Sequence, residues 1–142
     1  MAHVVFFEKP GCINNTRQKK LLAEAGHELE PKDLRSEPWT PQSLRPFFGD
    51  LPVKDWFNKA APRVKSGAIR PESLIPAVAL DLMIADPLLI RRPLMAVAGA
   101  DGIVERRVGF DAEAVDAWVG LAPAVEKDSD LESCPREHGK AG

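Results

Sequence analysis

Cys12 stands where a short apolar run meets a turn and then a helix. The stretch Phe6-Phe7-Glu8-Lys9-Pro10-Gly11-Cys12-Ile13-Asn14-Asn15-Thr16-Arg17 passes from two aromatics through Pro-Gly to one cysteine. Asn14, Asn15 and Thr16 behind it are good helix-capping residues. A helix N-terminus exposes unpaired N–H groups and carries about half a positive charge. Both favour thiolate over thiol, so a cysteine placed there can fall from about pKa 8.5 to roughly 3.5–7.5. The other reading is a small buried cysteine that only packs. Asn15 stands three residues after Cys12 and no Cys-x-x-Cys pair exists, so a disulfide within the motif is excluded. The partner of a reacting Cys12 is then a small thiol, another protein, or Cys134, the second cysteine of the chain. Asn15 and Thr16 are expected to supply N–H and side-chain donors near the sulfur. Arg17 and Lys19 either add positive charge there or form a solvated helix face.

Arg91-Arg92-Pro93 is the second feature. A proline just before a strand is allowed, and X-Pro bonds take the cis form more readily than others. Arg92 offers a fork of donors suited to an oxyanion; the alternative is two surface arginines ahead of a trans proline. Cys134 lies between Ser133 and Pro135 in an acidic stretch, as a resolving thiol on an arm or as a plain tail thiol. His3, His27 and His138 are scattered without ligand spacing, so no metal site is expected. Trp39, Trp56 and Phe57 read as core residues rather than a ligand platform.

The 142 residues suit one domain with its own core. Net charge is −2, which points to neither a nucleic-acid nor a membrane surface. Residues 122–142 hold five acids and three bases, so residues 1–121 are neutral overall. Positive charge at a site must come from local placement. Two cysteines make no disulfide framework. No signal peptide and no apolar run of membrane-spanning length is visible, so the expected compartment is the reducing cytoplasm.

The elements that must position Cys12 follow from patterning. His3-Val4-Val5-Phe6-Phe7 reads as a strand buried on both faces. Gln18, Leu21, Leu22 and Ala25 share a helix face, and Gly26 ends that helix. Residues 27–34, interrupted by Pro31, read as an edge strand. Strand, helix and strand at this spacing imply a parallel pair with a right-handed crossover. From about 38 to 86 the chain is punctuated by prolines. It carries a helix from Pro41, capped by Thr40, to Phe48; a short helix over 53–58; a loop over 59–72; and a well-buried helix over about 74–85. Leu94 to Ala98 is a strand, Asp101-Gly102 a hairpin turn, and Ile103 to Val108 the returning strand. Asp111 caps a final helix with Val115, Trp118, Val119 and Ala122 on one face. After Pro123 the pattern dissolves into an acidic, disorder-prone tail.

The resulting order, β-α-β, helical insertion, β-β-α, is similar to that of thioredoxin: α/β, with a four-stranded mixed sheet and helices on both faces. The domain is expected at 1–121, with the insertion at about 38–86 and the tail at 122–142. In thioredoxin-like folds a cis-proline faces the cysteine, which implies that Pro93 and Arg92 lie beside Cys12. Phe7-Glu8-Lys9-Pro10-Gly11-Cys12, the helix start Asn14-Asn15-Thr16-Arg17, and Asp86-Pro87-Leu88-Leu89-Ile90-Arg91-Arg92-Pro93-Leu94 resemble the arsenate reductase (ArsC)-like family over about residues 3–120. Glu8 to Gln18, Glu37-Pro38-Trp39-Thr40 and Leu44-Arg45-Pro46-Phe47-Phe48-Gly49 resemble its nitrogenase-associated branch, which implies a link to nitrogen fixation.

In that family one cysteine after the first strand attacks arsenate, forms a mixed disulfide with glutathione and is resolved by a glutaredoxin. The resemblance places this role on Cys12, with glutathione as co-substrate and no bound cofactor. Of three arginines that serve the oxyanion, the one before the cis-proline corresponds to Arg92. The insertion arginine falls at Asn58. The last falls near Gly109, with Arg107 two residues earlier on the same strand face. Such a site offers an oxyanion fewer charge-assisted donors, and Ile13 is bulky where a small residue would leave room. The expected function is a monothiol oxidoreductase associated with nitrogen fixation. Cys12 and Arg92 are catalytic, and Asn15, Thr16, Arg107 and Pro93 bind substrate. The alternative is a non-catalytic ArsC-like adaptor. Its insertion, with Trp39, Trp56 and Phe57, would bind a protein partner in nitrogenase assembly or regulation.

Overall fold

The computed structural model describes residues 2–99 and 101–121. The tail 122–142, with Cys134 and His138, lies outside the described residues. Four strands form one mixed sheet: β1 (His3–Glu8), β2 (Glu28–Asp33), β3 (Leu94–Ala98) and β4 (Val104–Val108), in the order β2-β1-β3-β4. β1 pairs parallel with β2 through the crossover helix α1 (Ile13–Glu24), and antiparallel with β3. The register sets Phe7 against Leu94. The sheet therefore brings the residue after Pro93 beside the end of β1, from which the Cys12 loop departs. β3 and β4 pair as the hairpin that Asp101-Gly102 predicted, with Gly102 at φ +82°, a conformation suited to glycine.

Each face of the sheet buries its own cluster. Val4 and Phe6 point to Leu22 of α1 and to Ala112 and Val115 of α5 (Ala112–Trp118). Asp111 caps α5 as expected, accepting from the Ala114 N–H at 3.2 Å. On the other face Phe7 and Leu94 meet the insertion, whose core includes Trp39, Phe47, Phe48, Trp56 and Phe57. The adaptor reading needed Trp39, Trp56 and Phe57 at the surface. All three are buried, so they hold the insertion together instead.

The insertion is built of short pieces because prolines restart the chain repeatedly. α2 (Pro41–Leu44) begins in a capping box: Thr40 Oγ1 accepts from the Ser43 N–H, and Ser43 Oγ accepts from the Thr40 N–H. It runs on as a 3-10 turn to Phe48 before Gly49. The short helix expected over 53–58 is a 3-10 turn of Val53–Asp55 only. The expected loop 59–72 contains α3 (Pro62–Lys65). α4 (Pro76–Ala85) starts with proline at its first position and buries one side, Ala79, Leu80 and Met83. Ile75 and Val78 stay exposed, so α4 is less buried than its apolar composition predicts. Among the described residues no helix is long and apolar enough to cross a membrane.

Two histidines act on the far end of the sheet. His27 is buried; its Nδ1 accepts from the Ala2 N–H at 3.0 Å, and its Nε2 lies 2.8 Å from the Gly120 carbonyl. It thereby ties the start of β1 to the end of the last helix. His3 Nε2 lies 3.0 Å from Glu30 Oε1, across the β1–β2 pair. The Glu30 hydrogen bond raises the His3 pKa from its ordinary 6.5, and its bond to His3 lowers Glu30 from 4.5. The raised histidine contributes stability in full below its unfolded value and loses it as pH rises through its folded value. The lowered carboxylate contributes above its unfolded value and loses it as pH falls through its folded value. The pair is expected to contribute most between about pH 4.5 and 6.5. In an NMR titration, Glu30→Gln should move the His3 midpoint downward.

Candidate active site

Cys12 is itself the N-cap of α1, with extended backbone at φ −74°, ψ 123°. Asn14, Asn15 and Thr16, expected to cap, lie inside the helix. The reason is the turn ahead of it. The Cys12 N–H donates to the Lys9 carbonyl at 3.1 Å, and Gly11 takes φ +89°, which closes Lys9–Cys12 tightly and starts the helix at Ile13. The Cys12 carbonyl then accepts from both the Thr16 N–H, at 3.1 Å, and Thr16 Oγ1, at 3.2 Å.

Asn15 is fully buried and fastens the same loop. Its Oδ1 accepts from the Lys9 N–H at 3.1 Å, and its Nδ2 donates to Gln18 Oε1 at 2.8 Å. Both Asn15 and Thr16 thus act on the loop and helix that carry the cysteine. Lys19 is held by Glu8, Nζ to Oε2 at 2.8 Å, with the Glu8 side chain nearly enclosed. Arg17 Nη1 lies 3.4 Å from Asn14 Oδ1. Cys12 is 2 % exposed, between exposed Gly11 and Ile13. The thiol is set at a helix start and largely enclosed.

The Arg92–Pro93 bond is cis, as the sequence suggested. The Pro93 carbonyl accepts from the Gly109 N–H at 2.8 Å, so the end of β4 abuts the cis-proline. Arg92 is 4 % exposed. It keeps other interactions, while its Nε and Nη1 find no hydrogen-bond acceptor among the described residues.

Arg92 lines a cavity of about 160 Å³ together with Arg91, Asn58, Lys59, Asp55 and Phe57. This is room for several waters or a small anion. The insertion reaches it through two main-chain links: Phe57 bridges Ile90, and the Asn58 N–H donates to the Leu89 carbonyl at 2.8 Å. Arg91 is tied to the same turn, its N–H donating to the Trp56 carbonyl at 3.0 Å and its Nη1 to the Asp55 carbonyl at 3.2 Å. Lys59 Nζ lies 3.7 Å from Asp55 Oδ1. Three cations and one carboxylate give the cavity a positive balance suited to an anionic group.

The structure thus joins Arg92 to Asn58, the position at which the family resemblance placed the insertion arginine. It does not bring Arg107 to that cavity. The Arg107 guanidinium carbon lies 4.6 Å from the Trp118 ring centre, a cation–π contact. Lys59 was not foreseen. No local pattern marks it, because links between segments distant in sequence, at Phe57–Ile90 and Asn58–Leu89, bring it to Arg92.

No family model matches the chain. It is 55 % identical over 137 residues to a 15.7 kDa protein of Rhodospirillum rubrum from the 3′ region of draG, covering 96 % of this chain and 91 % of that one. Solved structures share the fold. An ArsC-family-related protein from Bacteroides fragilis aligns at TM-score 0.64 and 24 % identity, over 81 % of this chain and 97 % of that one. An arsenate reductase from Vibrio cholerae aligns at TM-score 0.63 and 16 % identity, over 85 % and 98 %. The chain belongs to one family with the Rhodospirillum protein and has the fold of the ArsC-family structures.

Proposed function

We propose that this protein is a monothiol oxidoreductase of the cytoplasm, associated with nitrogen fixation, with Cys12 as its nucleophile. One observation carries the reading: Cys12 caps α1 at the end of the sheet where the Arg92–Pro93 turn enters β3. Thiol exchange needs a thiolate and a place for the partner's charge, and a helix start with a cationic cavity in the same region supplies both. The Cys12 thiolate attacks one sulfur of a disulfide, and the other leaves as a thiolate that takes a proton from solvent. Glutathione is the expected small partner, and a glutaredoxin then reduces the mixed disulfide. Arg92, with Arg91 and Lys59, holds the partner's carboxylate, while Pro93, Asn15 and Thr16 frame the approach to the sulfur. Arg107, also expected to bind substrate, would have to leave Trp118 to do so. Support for nitrogen fixation comes from the 55 % identical Rhodospirillum protein and its place beside draG.

The test is alkylation of Cys12 against pH, on a Cys134→Ser background, followed by treatment with glutathione disulfide. We expect a midpoint below the roughly 8.5 of an ordinary thiol and a single glutathione adduct. A midpoint at the ordinary value with no adduct overturns the proposal. A second reading, the non-catalytic adaptor, is favoured by one observation: the near-complete burial of Cys12.

A further inference from the structure

We infer that a groove on the insertion docks a partner protein, which enters it with an acidic segment carrying one apolar anchor. The inference is independent of Cys12 chemistry. It gives the insertion a binding surface that the buried Trp39, Trp56 and Phe57 cannot supply. The groove holds about 340 Å³. Val64, Ile69 and Pro71 line its deeper part, and Lys54, Lys59 and Arg70 its exposed part. Three short pieces of chain shape it. Lys54 stands on the 3-10 turn Val53–Asp55, Val64 on α3, and Arg70 just ahead of a 3-10 turn over Pro71–Ser73. The Gly67 N–H donates to the Val64 carbonyl at 3.1 Å, and the Ile69 N–H to the Arg63 carbonyl at 2.9 Å. These main-chain bonds fix the groove before a partner arrives, so binding has less ordering to do.

Charge selects the occupant. Residues 54–72 carry five bases and two acids, a local +3. Residues 1–121 are neutral overall, so the rest of that stretch carries −3 and the positive field is concentrated here. Arg63 is held by Asp86, Nη1 to Oδ2 at 3.1 Å, and Lys59 Nζ lies 3.7 Å from Asp55 Oδ1. Among the described residues neither Lys54 nor Arg70 forms an ion pair. Carboxylates of a partner complement these two cations and steer its approach. An apolar side chain between the carboxylates covers Val64 and Ile69, and its burial adds a driving force that salt does not screen.

A nucleic acid fits the groove less well. No aromatic ring lines it for base stacking, and Glu72 stands among the cations, where it repels phosphate. An acidic peptide needs no stacking platform, and its main chain can accept or donate where Glu72 stands.

The experiment adds a fluorescein-labelled peptide, acetyl-Glu-Asp-Leu-Asp-Glu-amide, to the isotopically labelled full chain. Anisotropy reads affinity, and amide chemical shifts read location. Saturable binding is expected, with the largest shifts at Lys54, Val64, Gly67, Ile69 and Arg70. Lys54→Glu with Arg70→Glu should weaken binding by about tenfold or more. Serine in place of the peptide's leucine should weaken it too, and raised salt should weaken the parent peptide. Spectra of the variant away from the groove check that it is folded, and the same variant should form the Cys12 glutathione adduct at the wild-type rate, so this inference and the thiol reading fail separately. Absence of saturable binding overturns the inference, as do shifts centred outside the groove or equal affinity in the charge-reversed variant. Tighter binding of an oligothymidylate at the same residues overturns it in favour of a nucleic acid. Self-association in sedimentation that the charge reversal abolishes overturns it in favour of a second copy of this chain.

Discussion

Replacing Cys12 with serine is expected to abolish disulfide exchange while leaving the domain folded. A serine hydroxyl at neutral pH is a poor nucleophile toward sulfur and forms no disulfide. The loss should be on the order of a thousandfold or more, as when other catalytic nucleophiles are removed. Stability should change by less than about 1 kcal/mol, because residue 12 is the N-cap of α1 and serine is among the preferred residues there. The serine Oγ can accept an N–H bond, whereas the Cys12 side chain makes no capping bond. Denaturation midpoints and the glutathione-adduct assay together separate the two effects. In a nitrogen-fixing cell the folded variant should behave as a deletion. Wild-type behaviour by a folded Cys12→Ser protein would instead assign the activity to the scaffold and a bound partner.

The second large effect is expected at Trp56. Its ring is 1 % exposed, stacks on Phe48 at 4.7 Å and 7°, and lies 4.7 Å from the Arg45 guanidinium carbon. Its Nε1 donates to the Leu51 carbonyl at 2.8 Å. Trp56→Ala removes all of these and should cost about 3–5 kcal/mol, a large share of the roughly 5–15 kcal/mol typical of a domain. Trp56→Phe keeps most of the stack and loses the hydrogen bond, for about 1–2 kcal/mol. Urea unfolding followed by circular dichroism reads both. A consequence at the site should follow. Because the Trp56 carbonyl holds the Arg91 N–H, the alanine variant should form the Cys12 adduct more slowly even where it remains folded.

Much of this architecture was legible in the sequence because each strand and turn announces itself locally. The apolar run before Pro10-Gly11, the Asp101-Gly102 turn and the Asp111 cap need no knowledge of the rest of the chain. Pro31 marked β2 as an edge. What escaped was set by contacts between distant segments. Asn14, Asn15 and Gln18 read as a cap and a polar face, yet all three are buried. Asn15 and Gln18 are satisfied by the Lys9 N–H and by each other, a pairing that hydrophobic periodicity cannot register. α4 ran the opposite way: its apolar residues exceed the surface that the insertion offers, so Ile75 and Val78 face outward. The cavity at Arg92 was half visible. Arg92 and Pro93 could be named from their own motif, and Asn58 from family resemblance. Lys59 comes from a segment about thirty residues earlier that its links to Leu89, Ile90 and Arg91 fold across.

The two outer strands have a consequence for how the molecule meets others. β2 carries Glu28, Glu30, Lys32 and Asp33 along with Pro31, which has no N–H to donate, and β4 carries Glu105, Arg106 and Arg107, all exposed. Charge and proline on a flank discourage another chain from extending the sheet by strand addition. Both edges are thereby guarded against edge-to-edge aggregation, while the Cys12 loop departs from the end of β1, an inner strand, away from either flank.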